Sequence, residues 1–285
     1  MRTPLSFRRK AVNALMLTAT GVCTLVSVGV LVFILGYLLV QGGRFLSWDF
    51  LTKLPAPVGE TGGGMANAIV GSGKILLLAT LIGVPVGFLA GVYLAEYSGA
   101  VFSAVVRFVA DLLNGVPSIV MGIFAYTLIV LRMKHFSAFA GGVALGIMMI
   151  PIALRSTEEF LRAVPVSLRE AAMALGAPRW KTVVTVVIPA AIRGILSGMM
   201  LNLARVAGET APLLFTALSN QFWSPGWNQP TASVPVMIYT YAIAPYPDWH
   251  RQAWAAGFLL LAMVLIVNVT ARSLVASGMS NKARL

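Results

Sequence analysis

The chain has 285 residues, of which 58% are hydrophobic and only 11% are charged. Soluble domains carry about 25% charged residues, so this composition, with its long uncharged stretches, indicates an integral membrane protein. The net charge of +12 does not indicate nucleic-acid binding, because the basic residues are scattered at the ends of apolar segments. The single cysteine, Cys23, excludes an intrachain disulfide and a cysteine metal cluster. With two histidines in separate loops, a histidine metal site is not expected either.

Six apolar segments are long enough to cross a bilayer as helices. The first follows Arg2, Arg8, Arg9 and Lys10, and it is about twice as long as the apolar part of a signal peptide. No small-residue cleavage site follows it, so we expect an uncleaved span. The six predicted spans are residues 14–40, 68–95, 108–131, 139–154, 190–218 and 253–275.

The segments between and within these spans carry further predictions. Residues 96–107 are predicted to form a turn on the inner side. The third span is interrupted at residues 114–118, NGVPS. Proline inside a span kinks the helix, and such breaks are tolerated where they line a cavity. In the aromatic-rich outer segment 219–252, residues 234–244 are predicted as a short helix at the membrane edge or a loop above it.

Lys74 ends the sequence GSGK (residues 71–74), which resembles the end of a phosphate-binding P-loop. The rest of that motif is absent, since Ala68 and Ile75 stand where it requires a glycine and a serine or threonine. We therefore expect the chain to bind no ATP. Lys74 is instead predicted to extend toward the outer membrane interface.

The distribution of positive charge predicts the orientation of the spans. With six spans, most lysines and arginines outside the apolar segments fall on one side of the membrane. Positive residues favour the cytoplasmic side, so both termini are predicted to be cytoplasmic. The same orientation puts the polar segment after the fourth span in the cytoplasm.

That polar segment, residues 159–189, is called the coupling segment below. It contains a helical run at 166–175, a break at Gly176 and Pro178, and a second run at 179–187. Arg162, Arg169, Arg179 and Lys181 surround the break. A helix–break–helix with basic flanks between two spans predicts a cytoplasmic projection that another protein grips.

Two ionisable residues, Arg205 and Glu209, lie deep in the fifth span. Arg205 is about 24 Å of helical rise beyond Pro189, near the bilayer centre. A lone charge there costs about 2.5–3.5 kcal/mol on insertion scales, and more in simulations. One interpretation is a structural ion pair, since an i, i+4 spacing puts both residues on one helix face. The other is a site on a permeation path, because the planar fork of arginine matches oxyanions.

The coupling segment resembles a pattern of ABC importer permeases: Glu-Ala-Ala, three residues, Gly, nine residues, then Ile-x-Leu-Pro. The matching residues are Glu170, Ala171, Ala172, Gly176 and Pro189, while Val186 and Ile188 replace the isoleucine and the leucine. The runs that begin at Val116 (VPSIVMGIFAY), Pro151 (PIALRSTEEFLRAVPVSLREAAMALG) and Arg205 (RVAGETAPLLFTA) resemble PstA-type permeases of bacterial phosphate-specific ABC importers. The resemblance covers about residues 60–275.

This resemblance implies an all-α, six-span type I importer permease. The expected divisions are residues 1–66, a permease core at 67–275 and a tail at 276–285. Expected partners are a second permease subunit, two ATPase subunits that carry ATP and magnesium, an extracytoplasmic phosphate-binding protein and membrane lipid. The implied ATPase contacts are Glu170, Ala171, Ala172, Gly176, Arg179 and Pro189. The implied phosphate path contains Arg205 with Glu209 and Thr210, and less strongly Arg155. No cofactor is expected on this chain.

Three alternatives stay open on the sequence. The first is a permease for another oxyanion, such as molybdate, sulfate or phosphonate, because Arg205 alone does not choose among them. The second is a stand-alone transporter or channel, although such a protein does not need the coupling segment. The third is a membrane-bound enzyme, for which the chain offers no arrangement of nucleophile and base.

Overall fold

The computed structural model describes the backbone of residues 7–282 and the side chains of residues 9–271 and 273. Within these residues the regular elements are helices, which confirms the predicted all-α class. The helices are α1 (Phe7–Gly43), α2 (Trp48–Thr52), α3 (Ala66–Glu96), α4 (Ala100–Gly115), α5 (Ser118–Ala125), α6 (Leu131–Met133), α7 (Ala138–Arg162), α8 (Val166–Ala174), α9 (Arg179–Thr182), α10 (Ile188–Ala207), α11 (Ala211–Thr216), α12 (Val234–Ile243) and α13 (Pro247–Lys282). Two π turns, Tyr126–Val130 and Val183–Val187, join α5 to α6 and α9 to α10.

The described helices confirm a multi-pass membrane protein. Five are long and apolar enough to cross a bilayer, and a sixth crossing is made when a bent pair counts as one span. The five are Arg9–Gly43, Ala66–Glu96, Ala138–Arg162, Arg179–Ala207 and Pro247–Ala271, and the pair is Ala100–Gly115 with Ser118–Met133. The predicted kink in the third span is a break of 98°. Residues 234–243 form helix α12, so the helical alternative for that segment is confirmed.

Two predicted boundaries are wrong. The inner turn is short, because α3 ends at Glu96 and α4 begins at Ala100. The fifth span begins at Arg179 and ends at Ala207 instead of running from 190 to 218. The helix of this span continues through Pro189, because the π turn just before that proline has i→i−5 hydrogen bonds. Its end is set by Gly208, after which Thr210 starts the new helix α11.

Helices α3 and α7 approach each other along a stripe of glycines, four residues apart, on α3. A methyl group at Gly83, Gly87 or Gly91 would lie 2.5–2.6 Å from the Cβ of the facing α7 residue. The facing α7 residues are Met149, Ala153 and Thr157, in that order. Small residues at this spacing let membrane helices pack backbone to backbone. The pair α3–α7 is therefore the tightly packed centre of the bundle.

The other spans are arranged around this pair. Helix α10 packs on α7, where Gly194 and Gly198 meet the side chains of Phe160 and Ser156. Helix α13 contacts α10 and α12. The first span, α1, packs on α13 near its own C-terminal end, where a methyl group at Gly42 would meet the backbone of Trp254. Most of the α1 surface is exposed, as expected for a helix in contact with lipid.

We expect Gly87→Ala to destabilise the protein, because the added methyl group would lie 2.5 Å from Cβ of Ala153 and 2.7 Å from the carbonyl oxygen of Ile150. Overpacking of this kind costs about 1–3 kcal/mol. Gly73→Ala in the same helix is the matched control, since a methyl group there meets nothing within 4 Å. Thermal unfolding in detergent should show a lower midpoint for Gly87→Ala alone, and equal midpoints would contradict the close packing.

Candidate translocation site and coupling segment

Two broken helices contact each other. The first break, at residues 116–117, separates α4 from α5, and the second, at 208–210, separates α10 from α11. The short helices touch, since a methyl group at Gly122 of α5 would lie 2.7 Å from Cα of Pro212 in α11. Irregular backbone at membrane depth is tolerated where it is covered by protein or lines a cavity. We call this region, residues 113–122 and 205–212, the break junction.

Arg205 lies in the last turn of α10 at the break junction. It lines a small cavity together with Val116 of the first break and with Met148 and Ile152 of α7. Those two residues are near the middle of α7, so Arg205 lies at mid-depth along the spans, and its side chain is exposed on the surface of this chain. The cavity volume is about 20 Å³, room for one water molecule. The cavity is therefore too small for a solute larger than water.

The predicted i, i+4 pairing of Arg205 with Glu209 is wrong. Helix α10 ends at Ala207, and the amide nitrogens of Gly208 and Glu209 donate to the carbonyl oxygens of Arg205 and Val206 in a tighter turn. Glu209 therefore leaves the helix face on which Arg205 lies. Within the described residues, neither side chain has a hydrogen bond or an ion pair. Thr210 follows, half-buried, and its hydroxyl caps no amide of α11.

Asn114 is a residue of this site that the sequence analysis did not single out. It lines the same cavity as Arg205, and its Oδ1 atom is buried with no hydrogen-bond donor in the described structure. An unsatisfied buried acceptor costs about 1–3 kcal/mol. The signal in the sequence is a polar residue beside glycine and proline in an apolar span. Asn114 and Arg205 therefore supply an acceptor and a donor at the same cavity.

A second group of charges lies closer to the C-terminal end of α7. Its centre is Glu158, whose side chain is only 2% exposed. Arg107 of α4 donates from Nε to Glu158 Oε1 at 2.7 Å, and Arg162 contacts the same oxygen at 3.1 Å. Arg155 contacts Glu158 Oε2 at 3.2 Å and Asp111 of α4 at 3.0 Å. We call these five residues the Glu158 cluster.

The Glu158 cluster contains Arg155, which the sequence analysis names as a further site candidate. Arg155 lies on α7 one turn from Ile152, which lines the Arg205 cavity. It also lines an open cleft of about 430 Å³ with Arg107, Glu158, Glu159 and Arg162. Both carboxylates that Arg155 contacts belong to this chain, so its charge is balanced here. Arg205 and Arg155 therefore differ: the first is unpaired and the second is held in ion pairs.

The coupling segment has the predicted helix–break–helix form. Helix α8 ends in a left-handed glycine, Gly176, with φ of +85°. The amide nitrogen of Gly176 donates to Met173 O at 2.9 Å, and that of Ala177 donates to Ala172 O at 3.2 Å. These two bonds form a Schellman motif, in which glycine avoids the Cβ strain of positive φ. Pro178 then precedes α9, and Arg179 begins it.

The residues of the importer pattern are presented at the surface. Glu170, Ala171, Gly176 and Arg179 are exposed, Ala172 is half-buried, and Pro189 is exposed in the first turn of α10. Large apolar side chains accompany them, with Leu175 90% and Trp180 62% exposed. An exposed patch of this kind marks a surface that contacts another protein.

Lys74 contacts the long loop between α11 and α12. Its Nζ donates to the carbonyl oxygens of Ser224 at 2.6 Å and Pro225 at 3.2 Å. Within the same loop, Ser224 and Asn220 donate to the carbonyl oxygen of Pro230. The lysine therefore holds the long loop between α11 and α12 against α3.

Six crossings with the bent pair counted as one, two broken helices at a shared cavity and an exposed helix–break–helix are together typical of an importer permease. A family model described as "Binding-protein-dependent transport system inner membrane component" matches residues 83–277, and the chain belongs to that family. As a member it is a membrane-spanning transport subunit rather than an enzyme.

Comparison with individual relatives shows which importer permeases the chain is similar to. The chain is 47% identical over 243 residues to the phosphate transport system permease protein PstA of Yersinia pestis, covering 85% of this chain and 82% of the relative. It is 46% identical over 266 residues to PstA of Pasteurella multocida, with coverage of 93% and 94%. These matches confirm the PstA-type resemblance. In fold it is similar to a subunit of a bacterial alginate ABC transporter bound to a periplasmic protein, with a TM-score of 0.59, 15% identity and 93% of each chain covered.

We expect Glu158→Gln to destabilise the protein, because it removes a buried carboxylate that three guanidinium groups contact. A hydrogen bond to a charged group contributes about 1.5–3 kcal/mol, and the partial exposure of the arginines places the loss at the lower end. Glu159→Gln is the matched control, because Glu159 is exposed and has no ion pair in the described structure. If both variants unfold in detergent at the same temperature, the Glu158 cluster does not stabilise the α4–α7 contact.

Proposed function

We propose that this chain is the permease subunit through which an ATP-driven importer moves inorganic phosphate into the cytoplasm. The names of its relatives, at 46–47% identity over most of the chain, support phosphate as the solute. The observation that carries the proposal is the unpaired guanidinium of Arg205 at the break junction. Its partners are a second permease subunit, two ATPase subunits and an extracytoplasmic phosphate-binding protein. Both termini lie in the cytoplasm.

The unpaired Arg205 offers an anion a favourable contact among otherwise apolar helices. A guanidinium at mid-depth without a counter-charge is costly, and an oxyanion offsets that cost while the fork of donors fixes its orientation. With Glu209 off the helix face, no carboxylate of α10 occupies the fork. Asn114 and the hydroxyl of Thr210 add polar groups at the same junction. Arg205 is therefore the central phosphate contact, with Glu209 nearby as a negative charge that keeps binding weak.

The Glu158 cluster provides the next position toward the cytoplasm. After Arg205, phosphate meets Arg155 about one helical turn past Ile152. There it competes with Asp111, which is half-exposed and holds Arg155 at 3.0 Å. Competition with a carboxylate keeps the site weak, so the anion is released into the cytoplasm. Arg155 is in this way a second contact on the same path.

The coupling segment receives the motion of the ATPase subunits. Each ATPase subunit binds its own MgATP. One of them grips the exposed surface that contains Glu170, Ala171, Ala172, Gly176 and Arg179, and the other grips the corresponding segment of the second permease subunit. Pro189 lies where this surface enters α10, the helix that carries Arg205. Closure of the ATPase dimer thus moves α10 relative to α7 and widens the small cavity at the break junction. The phosphate-binding protein docks on the opposite, outer side.

Phosphate uptake in cells that carry the chain with its partners tests this proposal. Arg205→Gln should lower uptake by about ten to a hundred times, the equivalent of losing one charge-assisted contact of about 1.5–3 kcal/mol. Arg205→Lys keeps the charge without the fork and should retain part of the uptake. The matched control is Arg193→Gln, since Arg193 is exposed on the same helix and has no ion pair in the described structure.

The ATPase subunits must co-purify with each variant, which shows that the complex still assembles. Native uptake of Arg205→Gln would contradict the proposed path. If the native complex takes up sulfate or molybdate and not phosphate, that oxyanion is the transported solute.

A further inference from the structure

Glu96 is a buried acid in an unfavourable position, and neither the phosphate path nor the importer pattern uses it. It is the last residue of α3, and its side chain is only 6% exposed. Burial disfavours a charged carboxylate, and the C-terminus of a helix carries a partial negative charge that repels it. A neutral glutamine would fit this position better on both counts. A carboxylate there needs a cation to hold it.

That cation is Arg169, the residue directly before Glu170 of the importer pattern. Its Nε and one terminal nitrogen donate to Glu96 Oε1 at 3.2 and 2.7 Å. The same guanidinium donates to the carbonyl oxygens of Val164 at 2.6 Å and Leu161 at 2.7 Å. One side chain of α8 therefore joins the end of α3, the end of α7 and the connection between α7 and α8.

Arg179, at the start of α9, strengthens the same contact. Its guanidinium donates to the backbone carbonyl oxygen of Glu96 and lies over the ring of Tyr97, with 5.3 Å between Cζ and the ring centre. Cations near a helix C-terminus stabilise the helix, so Arg169 and Arg179 both stabilise the C-terminal end of α3. The two helices of the coupling segment thus attach to the same residue.

Helix α8 has little other attachment to α3. None of its residues is fully buried, and its main helix contacts are with α9 and the following π turn, which begin the fifth span. Apolar packing that would transmit a push from α8 to α3 is therefore weak. The ion pair between Arg169 and Glu96 is the stiff contact between them.

We propose that the Glu96–Arg169 ion pair transmits movement of the coupling segment to α3, and through the α3 glycine stripe to α7. Glu96 and Arg169 are positioning residues, since they act through the spans and contact neither phosphate nor ATP. This inference rests on the proposed function. It predicts that breaking the pair separates ATP hydrolysis from transport, whereas a merely structural role would lower both together.

The test uses the complete importer in proteoliposomes with the phosphate-binding protein. Glu96→Gln and Arg169→Gln should keep basal ATP hydrolysis and ATPase binding. Stimulation by the loaded binding protein, and phosphate uptake per ATP, should fall about tenfold, within the range usual for coupling between two sites. The double variant should be no worse than Arg169→Gln alone, because that variant already removes the ion pair together with the two backbone bonds of Arg169. Glu159→Gln and Arg193→Gln are the charge-matched controls.

A readout independent of phosphate completes the test. Amide hydrogen exchange of residues 161–178 in the assembled complex should be faster in Glu96→Gln than in Glu159→Gln. Unchanged exchange together with native stimulation would overturn the inference, and so would losses that multiply in the double variant. A native complex that transports no phosphate but keeps its ATPase stimulation would overturn the proposed function, and not the role of the ion pair.

Discussion

The close approach of α3 and α7 is the constraint on which the rest of the structure depends. Glycines at three successive turns of α3 bring the two backbones into contact, and a methyl group at any of them would collide with α7. Hydrophobic burial does not drive helix association in lipid, so this packing is the main source of rigidity. A rigid pair moves as one body relative to α4, α5, α10 and α11. Both charged sites of the protein, at Arg205 and at Glu158, lie against this pair.

The two charged sites differ in whether their charges are paired within this chain. The Glu158 cluster satisfies a buried carboxylate with three guanidinium groups, so it joins α4 to α7 without any ligand. At the break junction, the helix ends early and removes Glu209 from the face of Arg205, so that charge has no partner in the described chain. A path for an anion needs an unpaired cation, as at the break junction. An attachment between helices needs paired charges, as in the Glu158 cluster. The helix break at Gly208 creates that difference.

Much of the fold was predictable from the sequence because apolar length and glycine or proline positions act locally. The six crossings, the break near Pro117 and the break at Gly176 follow from such signals, and the Glu-Ala-Ala pattern supplies the family. The end of α10 was not predictable from hydropathy, since the apolar stretch continues to residue 218 although the helix ends with Gly208 as its C-cap, four residues before Pro212. The partners of Glu158, Glu96 and Lys74 depend on contacts between distant segments, which a single sequence does not show. For the same reason the sequence did not identify Asn114 as a residue of the site, whereas its position in the cavity lining does.

The central claim, that phosphate binds at the unpaired Arg205, is tested most directly by measuring retained phosphate. The assembled importer is arrested with ATP bound, by an ATPase subunit that cannot hydrolyse it, and labelled phosphate is titrated against the native complex and Arg205→Gln. The account predicts saturable retention by the native complex and binding weaker by about ten to a hundred times in the variant, as expected for a lost charge-assisted contact. Equal retention by both complexes would contradict it and would place the anion site elsewhere in the importer.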